Sequence, residues 1–365
     1  MNNAGVGRLL GRLGLLTAPL ILLGAFYFVA DPFKVVREYS SYYVSGQPTF
    51  VSLNRGYVSA ETYLRYRGAQ RYDSFIFGNS RSLFYPVADW SSYIGSTNCF
   101  HFDASEESLA GLQRKVLWLD RGGAPLRHVL LILDAATLAR TNNLNGHLFL
   151  DHPALSGQVP LGFQLVFLKT FFEPRFLAAY LDFRWSHGVK PYMLAQGLLD
   201  NRPVTYRLHA NELSFYSFEA LIRTNPVAYY QPRTDFFPAR PARPDTSPPV
   251  IHAAQRELLA AMASVFQRQA TDCRVVINPL YDQVRLNPAD LESLRRAFGA
   301  ANVHDFSGKN AMTEPMTNYY ESSHYRPHVA CQVLAAVYAK ASRVGAQPTG
   351  GASPASALPW LSPVP

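Results

Sequence analysis

Ser74-Phe75-Ile76-Phe77-Gly78-Asn79-Ser80-Arg81-Ser82 is the stretch on which the reading of this chain turns. Aromatic and β-branched residues run up to a glycine, which predicts a central strand covered on both faces and then a tight turn that a Cβ would hinder. Ser80 falls at the carboxyl end of that strand, where open α/β sheets keep their ligand crevice. It also opens a predicted helix, whose first backbone N–H groups point towards an oxyanion forming beside it. The plain alternative is that Asn79 or Ser80 only caps the helix.

A second stretch, Tyr319-Tyr320-Glu321-Ser322-Ser323-His324-Tyr325-Arg326-Pro327, stands just ahead of the last predicted helix, Pro327 to Ala341. An acid three residues before a histidine can orient one imidazole nitrogen while the other faces a serine. That is the arrangement of nucleophile, base and orienter. Ser80 and His324 are far apart in sequence, so only the fold can bring them together.

Together, Gly78-Asn79-Ser80-Arg81-Ser82 and Glu321-Ser322-Ser323-His324-Tyr325-Arg326-Pro327 resemble the SGNH (GDSL-type) hydrolase superfamily. The chain looks most like its membrane-anchored branch, which includes periplasmic polysaccharide O-acetyltransferases and proteins similar to the D-alanyl transfer protein DltD. The resemblance covers roughly residues 70 to 140 and 250 to 340. It implies a three-layer, flavodoxin-like α/β domain with a parallel sheet, with Ser80 as nucleophile, His324 as base and Glu321 as acid. It also implies a backbone oxyanion donor after the second strand, for which Ser105 is the counterpart. Glutamate stands where the family has aspartate, and its extra methylene misaligns a hydrogen bond unless the backbone compensates. The family's Gly-x-Asn-Asp block is absent, the matching strand end reading Leu133-Asp134-Ala135-Ala136-Thr137.

Working outward, Leu13 to Ala30 carries no charge, and about 18 to 20 apolar residues suffice to cross a bilayer core. Arg8 and Arg12 precede it, so residues 1–30 read as a cytoplasmic N-terminus and a single transmembrane anchor. The bulk of the chain is then expected on the periplasmic side of an inner membrane. A cleaved signal peptide is disfavoured by Phe28, which sits where a small residue is wanted before Ala30. Residues 31–72 read as a polar, tyrosine-rich connector with a short helix around Ser59 to Tyr66, lifting the domain off the membrane and packing on its side, or with its tyrosines as interfacial anchors.

Residues 73–344 form the predicted α/β domain. Further strands are expected at Thr97–Phe102, His128–Leu133, Cys273–Ile277 and Val303–Phe306, with helices at Glu106–Leu119, Ile251–Gln269 and Pro288–Phe298. Ser80, Ser105, Asp134, Asn278 and Glu321 would then share the carboxyl edge of the sheet. Asp134 reads either as a substrate-facing acid or as a cap for the next turn. Residues 141–249 break the rhythm and are too long for a bare loop, so they read as an insertion with structure of its own. Its aromatics, among them Phe171, Phe172, Phe183 and Trp185, suit a small core, sugar stacking or lipid headgroups. Residues 345–365, rich in Pro, Gly, Ala and Ser, read as a disordered tail.

Of the 365 residues, 48% are hydrophobic and 16% charged, enough for one large core. The net charge of +8 comes from scattered arginines without an aromatic-basic ladder, which argues against a nucleic-acid partner and suits a membrane surface or an anionic glycan. The three cysteines have no metal-ligand spacing and fall in predicted elements, so buried thiols are expected, with one disulfide open as the alternative outside the cytoplasm; no metal or cofactor is implied. The leading expectation is an anchored serine acyltransferase or esterase. It would act on a cell-surface or secreted polysaccharide with an acyl donor, in or beside a membrane acyl-transfer or export complex. The alternative is a non-catalytic scaffold or glycan-binding component of such a complex.

Overall fold

Buried extended backbone must pair on both sides to satisfy its N–H and C=O groups, and the strand around Phe77 does so. The computed structural model describes residues 3–214, 216–240, 242 and 245–339. Its strands are β1 (Ser74–Gly78), β2 (Cys99–Asp103), β3 (His128–Leu133), β4 (Thr205–Arg207), β5 (Glu212–Ser214), β6 (Asp272–Ile277), β7 (Val303–Asp305), β8 (Tyr319–Glu321) and β9 (His324–Tyr325). Five of them make one sheet in the order β2-β1-β3-β6-β7, every neighbouring pair parallel. The order reverses at β1, between β2 and β3, and Ser80 follows β1 directly. The expected α/β class with a parallel sheet is therefore observed.

Alternation along the strands feeds two cores. Phe75, Phe77, Phe102, Leu131 and Ile277 pack under the helices Arg55–Gln70, Leu109–Arg121, Ala253–Arg268 and Pro288–Phe298. Ile76, Leu130, Ile132 and Val276 face the helices Val87–Ile94 and Pro327–Tyr338 on the other side. Each fully buried Phe or Ile contributes about 1.5–3 kcal/mol, so this double-sided burial holds the carboxyl edge of the sheet rigid.

Several boundaries differ from the sequence reading for local reasons. The backbone after Ser80 makes only a five-residue 3-10 turn, Ser80–Phe84, before Pro86 leads into Val87–Ile94. The helix expected from Glu106 starts at Leu109, because Ser108 caps it by accepting from the Gly111 N–H, while Glu106 adopts a left-handed φ of 48° in the preceding turn. Residues 31–72 pack on the side of the domain. Asn54 caps a helix over Arg55–Gln70, and Phe33, Tyr42, Tyr43, Leu53 and Tyr57 are buried in a third core with Phe163, Phe167, Phe171, Phe176 and Tyr180 of the insertion. The insertion's aromatics thus serve mainly as packing, although Trp185, Phe236 and Tyr192 are exposed. Arg55 locks this third core to the sheet: its guanidinium pairs with buried Asp103 and donates to the Asn211 carbonyl, 3.2 Å away.

A helix forms over Asn3–Ala30. Among the described residues no helix is long and apolar enough to cross a membrane, and the side chains of Leu13 and Leu16, within the predicted span, lie outside the description. The predicted tail, 345–365, also lies outside the described residues.

Candidate active site

Two loops distant in sequence meet at the carboxyl edge of β1. The first is positioned by Gly78, where a Cβ would come within 2.8 Å of the Ser82 Cβ and 3.0 Å of the Ile132 Cβ. Glycine is required there for close approach rather than for an unusual φ. Asn79 Oδ1 then accepts from the Arg81 N–H at 2.9 Å, which fixes the turn and holds Ser80 at its outer corner. Asn79 is thus the cap, which leaves the Ser80 side chain out of that role.

The second loop is the hairpin β8–β9, with Ser322 and Ser323 as its two-residue turn. Its register sets Glu321 directly opposite His324, and cross-strand partners on one face of such a pair have Cβ atoms about 4.5–5.5 Å apart. Spacing of three along the chain therefore becomes face-to-face contact. Glu321 Oε1 bonds His324 Nδ1, while Oε2 accepts from the Ser323 N–H at 2.6 Å. This hairpin is the backbone compensation that the longer glutamate needs. Glu321 reaches the carboxyl edge of the sheet from this hairpin.

Ser80 Oγ lies 2.8 Å from His324 Nε2. A carboxylate on Nδ1 selects the tautomer with the proton there, which leaves Nε2 bare to accept the Ser80 hydrogen. The edge of Phe84 packs on the imidazole at 5.6 Å between ring centroids and limits its rotation. Burial alone would raise the Glu321 carboxyl. The hydrogen bond and charge of His324, the Ser323 N–H and the more distant Arg81 charge outweigh it and hold Glu321 below the usual carboxylate range.

The remaining predicted positions separate. Asp134 caps the short helix after β3 by accepting from the Thr137 N–H at 2.8 Å, and its other oxygen takes Arg81 Nη1 at 2.7 Å and Asn79 Nδ2 at 2.9 Å. Its oxygens are engaged by these internal partners, and the residue also lines a cavity at this edge. Its burial would raise the carboxyl; the Arg81 charge first, then the Thr137 and Asn79 donors, bring it below the ordinary value. Ser105 lies half-buried in the turn after β2 and makes no hydrogen bond to Ser80 or His324. Asn278 follows β6 and accepts from the Tyr325 hydroxyl at 2.7 Å, so it supports the residue after the base rather than touching Ser80.

Arg81 is the residue that the sequence reading did not single out. Besides Asp134 it donates from Nε to the Ser323 carbonyl at 2.9 Å, tying the Ser80 turn, the end of β3 and the His324 hairpin into one unit. Burial disfavours its charge, but Asp134 more than repays that and raises its pKa. The signal available in the sequence was an arginine immediately after the nucleophile together with a lone strand-end aspartate.

Two cavities of about 230 Å³ each flank Arg81 along this edge, and the second includes Ser322 and Ser323 next to the base. A larger hollow of about 650 Å³, lined by Arg67, Trp118 and Arg121, involves the far end of the helix Leu109–Arg121, which leads into the start of β3. Cys99, Cys273 and Cys331 are unpaired thiols. Chemically, the edge can activate a hydroxyl nucleophile. No protein-family model, curated protein or solved structure matches the chain.

Proposed function

We propose that this protein is a serine acyltransferase or esterase of SGNH type acting on a cell-surface or secreted polysaccharide, and that the chain Glu321–His324–Ser80 is its catalytic triad. The observation that carries this reading is the unbroken hydrogen-bonded line from carboxylate through imidazole to a partly exposed hydroxyl. His324 Nε2 takes the Ser80 proton as Oγ attacks the carbonyl carbon of an acyl ester. The tetrahedral oxyanion collapses, the donor's C–O bond breaks, and the departing oxygen leaves with the proton from His324. A sugar hydroxyl or water then gives its proton to His324 and attacks the acyl-enzyme, releasing Ser80. The Ser80 N–H is the oxyanion donor supported by the geometry, because the Arg81 N–H is already held by Asn79.

The proposed site of action is the outer face of an inner membrane, with the N-terminal helix as anchor. Support comes from that helix presenting Leu15, Leu20, Ile21, Leu22 and Val29 to solvent, an apolar surface costly in water. The occupied Arg81 N–H favours a second reading, a non-catalytic scaffold of an acylation or export complex, since oxyanion stabilisation is thinner than a hydrolase needs.

A fluorophosphonate probe followed by peptide mass mapping separates the two. An activated serine gives an adduct on Ser80 that disappears in His324→Ala. An unlabelled Ser80 in correctly folded protein would leave the scaffold reading standing.

A further inference from the structure

We infer that the groove around Arg81 is an acceptor subsite for an oxyanion group, a carboxylate or phosphate borne by the glycan; this rests on the acyl-transfer reading of Ser80. The two flanking cavities share Arg81, Leu280 and Asp282 as a common wall and therefore lie side by side along one trough-like edge. Each half is large enough for about one small group, below the usual few hundred Å³ of a site that takes a whole ligand. The chemistry of the walls is biased to donors. Asn278, 1% exposed, lines the first cavity; its Oδ1 is used by Tyr325, but its buried Nδ2 has no partner among the described residues. Arg240 lines the second cavity, stacked 3.9 Å from the centroid of the Tyr281 ring. Its Nε and Nη1 are spent on the carbonyls of Tyr281 and Glu314, while its buried Nη2 is unpartnered among the described residues.

Arg285 adds an exposed guanidinium to the first cavity and makes no ion pair or side-chain hydrogen bond among the described residues. Against these stand Asp134, consumed by Arg81, and the exposed Asp282. Buried donors left without acceptors cost free energy, and a charged acceptor repays them best. A neutral sugar hydroxyl would match the geometry but leave the positive charge unanswered. Because Ser322 and Ser323 adjoin His324, a group held in this trough lies within reach of an acceptor hydroxyl presented to the acyl-enzyme.

The test uses the full chain with Ser80→Ala, which binds without turnover, in calorimetric titrations with an oligogalacturonate, glycerol 1-phosphate and a neutral cello-oligosaccharide. At least one anionic probe should bind roughly tenfold or more tightly than the neutral one, and the preference should shrink as salt is raised. The stronger of the two anions identifies the group. Adding Arg285→Gln, an exposed position, should erase about tenfold of the preference, with an unchanged melting midpoint showing that the fold is intact. Equal binding of neutral and anionic probes, or a preference that survives both Arg285→Gln and Arg240→Gln, overturns the inference. Fluorophosphonate labelling of wild-type Ser80 is scored separately, so an adduct without anion preference rejects only the subsite, and binding without an adduct rejects only the chemistry.

Discussion

Two serine–histidine pairs sit within a few residues of each other, and they are opposites. Ser80 and His324 are 2.8 Å apart, and Ser82 and His101 are 2.9 Å apart. In the first, Glu321 holds the proton on Nδ1, so Nε2 accepts from the serine. In the second, Ser82 gives its only hydrogen to the Asn79 carbonyl at 2.7 Å, so its oxygen must accept from His101 Nε2–H. His101 Nδ1 is buried and has no partner among the described residues. Proton flow in that pair runs away from a nucleophile. Distance alone therefore does not set which way the proton is donated; the orienting acid and the serine's other partner do.

The largest expected effect follows at the first pair. Ser80→Ala or His324→Ala should lower turnover of a small acetyl ester, or glycan acetylation in cells, by roughly three orders of magnitude or more. Retention of wild-type rates by both would end the distinction drawn between the pairs. Glu321→Gln keeps the shape and removes the charge, so a large loss is expected, smaller than that of the serine or histidine variant. Glu321→Asp should lose about tenfold, because the hairpin spacing fits the longer acid. Since folding depresses the Glu321 carboxyl, its charge is present above the ordinary carboxylate range and fades only as pH falls through its folded value.

At the second pair the effects should be on stability. Burial first, with the Arg55 and Lys115 charges adding to it against Asp103, pushes the His101 imidazole down to about 4. An unfolded histidine binds its proton near pH 6.5, so stability is complete above that value and erodes as pH falls towards 4, by about 3 kcal/mol in total. Denaturant melts of wild type and His101→Gln across that interval should differ in slope; equal slopes would contradict the buried neutral imidazole. The smallest effect is expected from Ser82→Ala, which strands the His101 N–H at a cost of about 1–3 kcal/mol. Ser80 should still be labelled in that variant, whereas loss of the adduct would mean that the two pairs work together.

Much of the sheet was readable in advance because its strands carry their own instructions. His128–Leu133 is almost wholly apolar and forms over the expected residues, and Pro288 and Phe298 bound their helix as read. Places where local chemistry competes were read less well. Ser105 and Ser108 are both good caps, and the chain uses Ser108 because Leu109 is the first side chain that enters the core. The tyrosines of residues 31–72 look solvent-loving singly, yet Tyr42, Tyr43 and Tyr57 are buried once the insertion's phenylalanines supply a surface.

By itself the amino-acid order determined that a parallel α/β sheet forms and that Glu321 and His324, three apart, are available to each other. Local periodicity and short-range spacing depend only on neighbours along the chain. Tertiary structure alone decided that Ser80 rather than Ser82 meets the oriented imidazole, and that Arg81 joins the two loops through Asp134 and the Ser323 carbonyl. Those contacts bridge 244, 242 and 53 positions, and no local pattern encodes which hydroxyl or guanidinium will be closest after the sheet has folded.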